Sequence, residues 1–153
     1  MLDDGLNLTT IELDEGEKIP DDLKKFDGMF CMGGPMDTYM EKEYPWLIEE
    51  KKKIKEFVVD LKKPYLGFCL GCQLLGEVVG GKVVKSNPAE IGIMDINFTE
   101  NKKEDTLFSK FPDNIKSLQW HSYEVQGIEK NPDITLLASS PVCLLYTSPS
   151  PRD

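Results

Sequence analysis

The chain has 153 residues, 18 Lys and Arg against 27 Asp and Glu for a net charge of −9, and 40% apolar positions. That is one globular domain's worth of chain, long enough to bury a core without metal or disulfides. Its acidic field disfavours nucleic-acid backbones and anionic membrane surfaces as partners, and the absence of a signal-like start or a span-length apolar run makes cytoplasmic the expected location.

Thr9-Thr10-Ile11-Glu12-Leu13 alternates as a strand, followed by the turn chemistry of Asp14-Glu15-Gly16-Glu17. Asp27-Gly28-Met29-Phe30-Cys31-Met32 is a short apolar run stopped by Gly33-Gly34-Pro35, as in a buried parallel strand. From Tyr44 to Lys62 the period changes. Pro45 suits a helix start, and Leu47, Ile54, Phe57, Val58 and Leu61 share one face, leaving Glu49, Glu50 and Lys51 to Lys53 for solvent. Pro64 to Phe68 reads as a second buried strand, Gly71 to Val79 as a helix, and Gly80-Gly81 as its stop.

Further strands are expected at Lys82 to Lys85, Ile91 to Thr99, Ile115 to Trp120 and Ile134 to Ala138, with Asn101 to Asp105 as a charged loop. The βαβ rhythm predicts an α/β fold, a doubly wound and mostly parallel sheet with helices on its faces. Residues 143–153 break with this pattern, carrying three Ser/Thr and two Pro without periodicity. Back-translated with one codon choice they resemble a sequencing-library adapter read in frame. The expectation is a partial domain over 1–142 followed by a non-native tail over 143–153, with an ordinary disordered tail as the alternative.

Four cysteines, at 31, 69, 72 and 143, are spaced too irregularly for a disulfide framework, and a single histidine leaves little for a metal site. They are read for reactivity instead. Gly67-Phe68-Cys69-Leu70-Gly71 follows an apolar strand and opens a helix, the setting of a nucleophile elbow. A thiol there meets a helix dipole that favours the thiolate, and the Leu70 amide points toward an oxyanion on the group under attack. Two other readings stand beside this one. Cys69 is a small buried residue in a glycine-lined turn, or Cys69-Leu70-Gly71-Cys72 is a redox CxxC. Gly33-Gly34-Pro35 ends a different buried strand, so a parallel sheet brings it to the same carboxyl edge as Cys69, where it supplies further amides.

In these residues the sequence resembles the class I glutamine amidotransferases, in particular stand-alone domains like the amidotransferase part of GMP synthase. The matching segments are Asp27-Gly28 through Gly33-Gly34-Pro35-Met36, Tyr44-Pro45-Trp46-Leu47, Pro64 through Leu75, Gly80-Gly81-Lys82-Val83 and Glu90-Ile91-Gly92. Trp120-His121 and Leu137-Ala138-Ser139-Ser140 continue them. The resemblance implies a flavodoxin-like fold, incomplete here at both ends, and glutamine as substrate. Cys69 would form a γ-glutamyl thioester and release ammonia, with Leu70 and the Gly33-Gly34 segment as oxyanion hole and Gln73 holding substrate. It implies no cofactor or metal, and an ammonia-accepting synthetase as partner.

In the family the thiol is activated by a His-x-Glu pair beyond the Ala-Ser-Ser region, where this chain carries the foreign-looking tail. His121, the single histidine, precedes that region, and a Cys69-His121-Glu124 arrangement is weighed against a merely local histidine. A γ-glutamyl hydrolase of the same superfamily, or a non-catalytic relative that binds glutamine or a synthetase, is the alternative function. The truncation also predicts exposed sheet edges and poor solubility.

Overall fold

The computed structural model describes residues 5–141 and 143–147. Part of the tail expected to be foreign, 148–153, lies outside the described residues.

Residues 9–12 form no strand; the chain instead closes a 3₁₀ turn at Leu13–Glu15, with Gly16 left-handed at φ 85° behind it. The reason is local: the Glu12 carbonyl accepts from the Glu17 amide at 3.2 Å, and the Glu17 carboxylate accepts from the Glu12 amide at 2.9 Å. That reciprocal closure satisfies the backbone groups a ladder would have needed. Ile11 and Leu13 are half-buried and give the segment too little apolar surface to act as a sheet face.

The centre is a parallel pair, β1 (Met29–Cys31) and β2 (Tyr65–Gly67), in register Met29 to Tyr65 and Cys31 to Gly67. Two helices cover it. Helix α1 (Trp46–Lys55) starts behind Pro45 and runs on into a π turn at Glu56–Asp60, where the Leu61 amide reaches back to the Glu56 carbonyl at 2.8 Å. Leu47, Ile54 and Phe57 are fully buried, as the helical period requires, and Val58 packs against the same cluster. Helix α2 (Leu70–Val78) adds Leu70 and Leu74, so that Cys31, Leu47, Ile54, Leu70 and Leu74 make one core between strands and helices. The Tyr65 hydroxyl donates to the Gly71 carbonyl at 2.7 Å and ties β2 to the first turn of α2.

The remaining strands form an antiparallel sheet in the order β4-β3-β5-β6: β3 (Lys82–Phe98), β4 (Asn114–Gln126), β5 (Thr135–Ser139) and β6 (Leu144–Thr147). The two strands expected at 82–85 and 91–99 are one strand with a register shift between Lys85 and Glu90. Pro88, lacking an N–H, interrupts the ladder there while leaving the backbone extended. β4 runs past the expected end at Trp120 because Tyr123 to Gln126 pair with Lys85 to Lys82. Helix α2 touches both β3 and β4, and Asn131 anchors the following loop by donating to the Val79 carbonyl at 3.3 Å. The long hairpin is thereby folded over the helix that begins just after Cys69. Within the expected tail, 144–147 pair along β5 after a turn in which the Ser140 amide donates to the Cys143 carbonyl at 2.8 Å.

Candidate active site

β2 delivers the chain to Phe68, whose amide still pairs with the Cys31 carbonyl at 2.9 Å, and α2 begins two residues later. Cys69 makes the intervening bend at φ 50°, a left-handed conformation that a residue with a β-carbon adopts at a cost of order 1–3 kcal/mol. Lys62 is the other described non-glycine residue with positive φ. The bend exposes the Cys69 thiol at the N-terminus of α2. Cys31 and Cys143, by contrast, are buried, and burial pushes each thiol up to about 12. Cys72 lies three residues on, and both it and Cys69 are free thiols.

Gly33 approaches the nucleophile closely. A β-carbon at position 33 would lie 3.1 Å from the Cys69 Cβ, a tight contact, and 3.8 Å from its Sγ, an ordinary one, so a side chain here would press on the Cys69 side chain at its Cβ. Gly34 and Leu70 line a cavity of about 180 Å³ with Cys69 and Gln73. All five residues expected from the sequence, Gly33, Gly34, Cys69, Leu70 and Gln73, therefore meet at one sheet edge. Leu70 is buried at its side chain but opens the helix, so its amide has no intrahelical partner.

The opposite wall comes from the hairpin: Ile91 of β3, and Trp120, His121, Ser122 and Tyr123 of β4. From the sequence Trp120 reads first as a packing residue and second as an edge of the site, and Tyr123 and Glu90 receive no role; Trp120 is 72% exposed and lines this wall. Glu90 is 1% exposed; its Oε2 lies 3.2 Å from His121 Nε2 and accepts from the Ser140 hydroxyl at 2.6 Å. The His121–Glu124 pairing weighed against a merely local histidine does not form. Side chains three apart on a strand point to opposite faces, whereas Glu90 stands directly across the ladder from His121. Glu124 instead accepts from the Gln126 side chain at 2.7 Å. The signal that could have located Glu90 was its place in Glu90-Ile91-Gly92, one of the segments carrying the resemblance. On the far side of Cys69 lies a second, largely apolar cavity of about 430 Å³ between α2 and β4.

Among the described residues, no three His, Cys, Asp or Glu side chains cluster as metal ligands, and no helix is long and apolar enough to cross a membrane.

The sequence profile described as Glutamine amidotransferase class-I matches residues 2–145. The chain is 32% identical over 124 residues to a glutamine-hydrolyzing GMP synthase subunit from Sulfolobus acidocaldarius, covering 81% of this chain and 60% of that protein. It is 31% identical to "Gamma-glutamyl peptidase 3" of Arabidopsis thaliana over 80% of this chain and 49% of that one. A glutamine amidotransferase from Thermotoga maritima superposes with TM-score 0.81 at 25% identity, covering 95% of this chain and 66% of the other. The chain thus spans about 60% of the length of such curated relatives. With the elbow, the glycine edge and the α/β architecture in agreement, the chain belongs to the class I glutamine amidotransferase family.

Proposed function

We propose that this domain handles the γ-carboxamide of glutamine and that Cys69 is its nucleophile. The observation that supports this reading most is the bend at Cys69, φ 50°, which sets an exposed thiol at a helix N-terminus against Gly33. The sulfur attacks the carboxamide carbon, a C–S bond forms, and the negative charge moves to the carbonyl oxygen. The Leu70 amide and the Gly33-Gly34 segment hold that oxyanion, an effect worth about 2.7–4 kcal/mol per donor in comparable sites. Collapse breaks the C–N bond, the nitrogen leaves as ammonia by taking a proton from solvent water, and a second water adds to the thioester carbon, breaking the C–S bond to give glutamate and the free thiol. Gln73, one turn along α2 from Cys69, holds the substrate. Ammonia then passes to a synthetase partner, in keeping with the relatives named as glutamine-hydrolyzing GMP synthase subunits.

The cavity of about 430 Å³ beside Cys69 favours a second reading, in which the γ-glutamyl group carries a larger apolar amine, as the relative named a γ-glutamyl peptidase suggests. Competition between glutamine and a γ-glutamyl dipeptide of phenylalanine separates the two. The first reading predicts Cys69-dependent ammonia release from glutamine and little cleavage of the dipeptide. Preferential dipeptide cleavage would replace it with the second, and the absence of Cys69-dependent turnover of both would remove both.

A further inference from the structure

The two halves of the oxyanion hole stand on different elements: Gly33-Gly34 on the loop after β1, and the Leu70 amide on the first turn of α2. They touch. A β-carbon at position 34 would lie 3.4 Å from the Leu70 side chain, just as one at position 33 would lie 3.1 Å from the Cys69 Cβ. The sheet does not hold the loop there, since β1 ends at Cys31. The loop is fixed further on, at Thr38, which is 1% exposed. The Thr38 hydroxyl donates to Glu77 Oε1 of α2 at 2.6 Å, and its carbonyl accepts from the Lys51 ammonium of α1 at 2.8 Å. The same ammonium pairs with Glu77 Oε2 at 2.7 Å and with Glu41 Oε1 at 2.9 Å. A lysine has three N–H donors and no acceptor, and three oxygens surround this one. The helical period assigns Lys51 to the solvent face, yet its side chain is only 19% exposed, because it folds back onto the loop whose carbonyl it binds.

We infer that Lys51, with Thr38 and Glu77, is a clamp that sets the Gly33-Gly34 segment against the Leu70 amide and so fixes the spacing of the oxyanion hole. The inference rests on the proposed function for the role of those amides. Lys51, Thr38 and Glu77 line neither cavity, so all three are positioning residues. Their effect reaches the site through its neighbours in the chain. Met36 and Asp37, just before Thr38, line the cavity of about 180 Å³ together with Cys69, Leu70 and Gln73 at the start of α2. Glu77 lies about two turns further along that helix, which carries its position to the first turn. Each link of the clamp includes a charged group, which makes it stronger than a neutral hydrogen bond, and linked bonds of this kind reinforce one another. An oxyanion hole acts through donors already in place where charge develops, and a misplacement of about 1 Å can cost about a hundredfold in rate. Loosening the clamp therefore weakens attack on a carbonyl and leaves the thiol as it was.

Two reagents separate these effects on Cys69 without glutamine. p-Nitrophenyl acetate acylates the thiol: a C–S bond forms, charge moves to the carbonyl oxygen, the C–O bond breaks, p-nitrophenolate leaves and the thiol proton goes to solvent. Iodoacetamide alkylates it by displacement at a saturated carbon; iodide leaves, the proton again goes to solvent, and no oxyanion forms. Both reactions are followed on the Cys69 peptide by mass spectrometry, and the ratio of acylation to alkylation rates reports the oxyanion hole. Thr38→Val removes the hydroxyl and keeps the shape, Lys51→Met removes the ammonium, and Thr38→Ser keeps the hydroxyl. The first two are expected to lower the ratio about tenfold to hundredfold with alkylation unchanged, and Thr38→Ser to retain the ratio of the unaltered chain. Equal ratios in all four chains overturn the clamp. An equal loss of both reactions also overturns it, because a purely structural role would give that result through lost access. Should one of these variants fail to fold, Glu77→Gln takes its place, since it keeps the side chain's size and removes the charge paired with Lys51, and the same fall in ratio is expected. An unaltered chain whose ratio does not exceed that of N-acetylcysteine overturns the oxyanion hole and the clamp together. The expected ratios without glutamine turnover would count against the proposed function and leave the clamp standing.

Discussion

Gly71 lies directly against the backbone of Cys31: a β-carbon at position 71 would sit 2.8 Å from both the carbonyl carbon and the Cβ of Cys31. Helix α2 therefore approaches β1 as closely as it does because residue 71 has no side chain, and this approach carries Cys69 to the edge where Gly33 follows β1.

Gly71→Ala sets two effects against each other. Alanine gains about 1 kcal/mol of helix propensity, but its methyl meets strand backbone, which cannot rotate away as a side chain can. Overpacking of this kind costs typically about 1–3 kcal/mol. Against rigid backbone the clash is expected to prevail, lowering the urea midpoint with an unchanged slope. A raised midpoint would show that the helix can shift.

Glu50, half-buried on α1, has its carboxyl raised above the ordinary range by burial, offset in part by its contact with the Cys31 thiol. A raised carboxyl favours folding in its neutral form, so this contribution is present at low pH and lost as pH rises through the folded value. Glu50→Gln should accordingly stabilise the chain at pH 7, by a few tenths to about 1 kcal/mol after solvent screening, and have little effect near pH 3.5. Urea titrations at the two pH values check the sign, and equal changes at both would contradict the assignment.

Ile91 pairs with Trp120 and Ile93 with Leu118 across the β3–β4 ladder, and all four are exposed, Ile93 and Trp120 at 72%. Alternate positions on paired strands share a face, so these side chains form one apolar patch beside the cavity. Contiguous patches of this kind drive self-association. The double variant Ile93→Thr, Leu118→Thr should bind less of the dye ANS and remain soluble at higher concentration. Unchanged dye binding would place the sticky surface elsewhere.

The parts of the fold legible in the sequence were those set by local pattern. The short apolar runs at Met29–Cys31 and Tyr65–Gly67, the period of α1, and the glycine-flanked Cys69 all depend on neighbours a few residues away. Glu90–His121 was not legible, because its partners are 31 positions apart and meet only through a ladder register reset at Pro88. Glu124 looked nearer in sequence and is on the wrong face. The segment from Thr9 misled for the opposite reason: its alternation was present, but the Glu12–Glu17 closure took up the backbone groups. Exposed apolar surface was expected but not its place on the β3–β4 face, since an apolar strand residue reads as core until the sheet shows which face is covered.

The most direct test of Cys69 as nucleophile is to incubate the chain with glutamine, quench in acid and map acylated cysteines by peptide mass spectrometry, with Cys69→Ser as control. The expected result is a γ-glutamyl adduct on Cys69 and released ammonia, both absent in Cys69→Ser, with Cys31 and Cys143 unmodified. Ammonia release that survives Cys69→Ser, or an adduct confined to Cys72, would contradict the assignment.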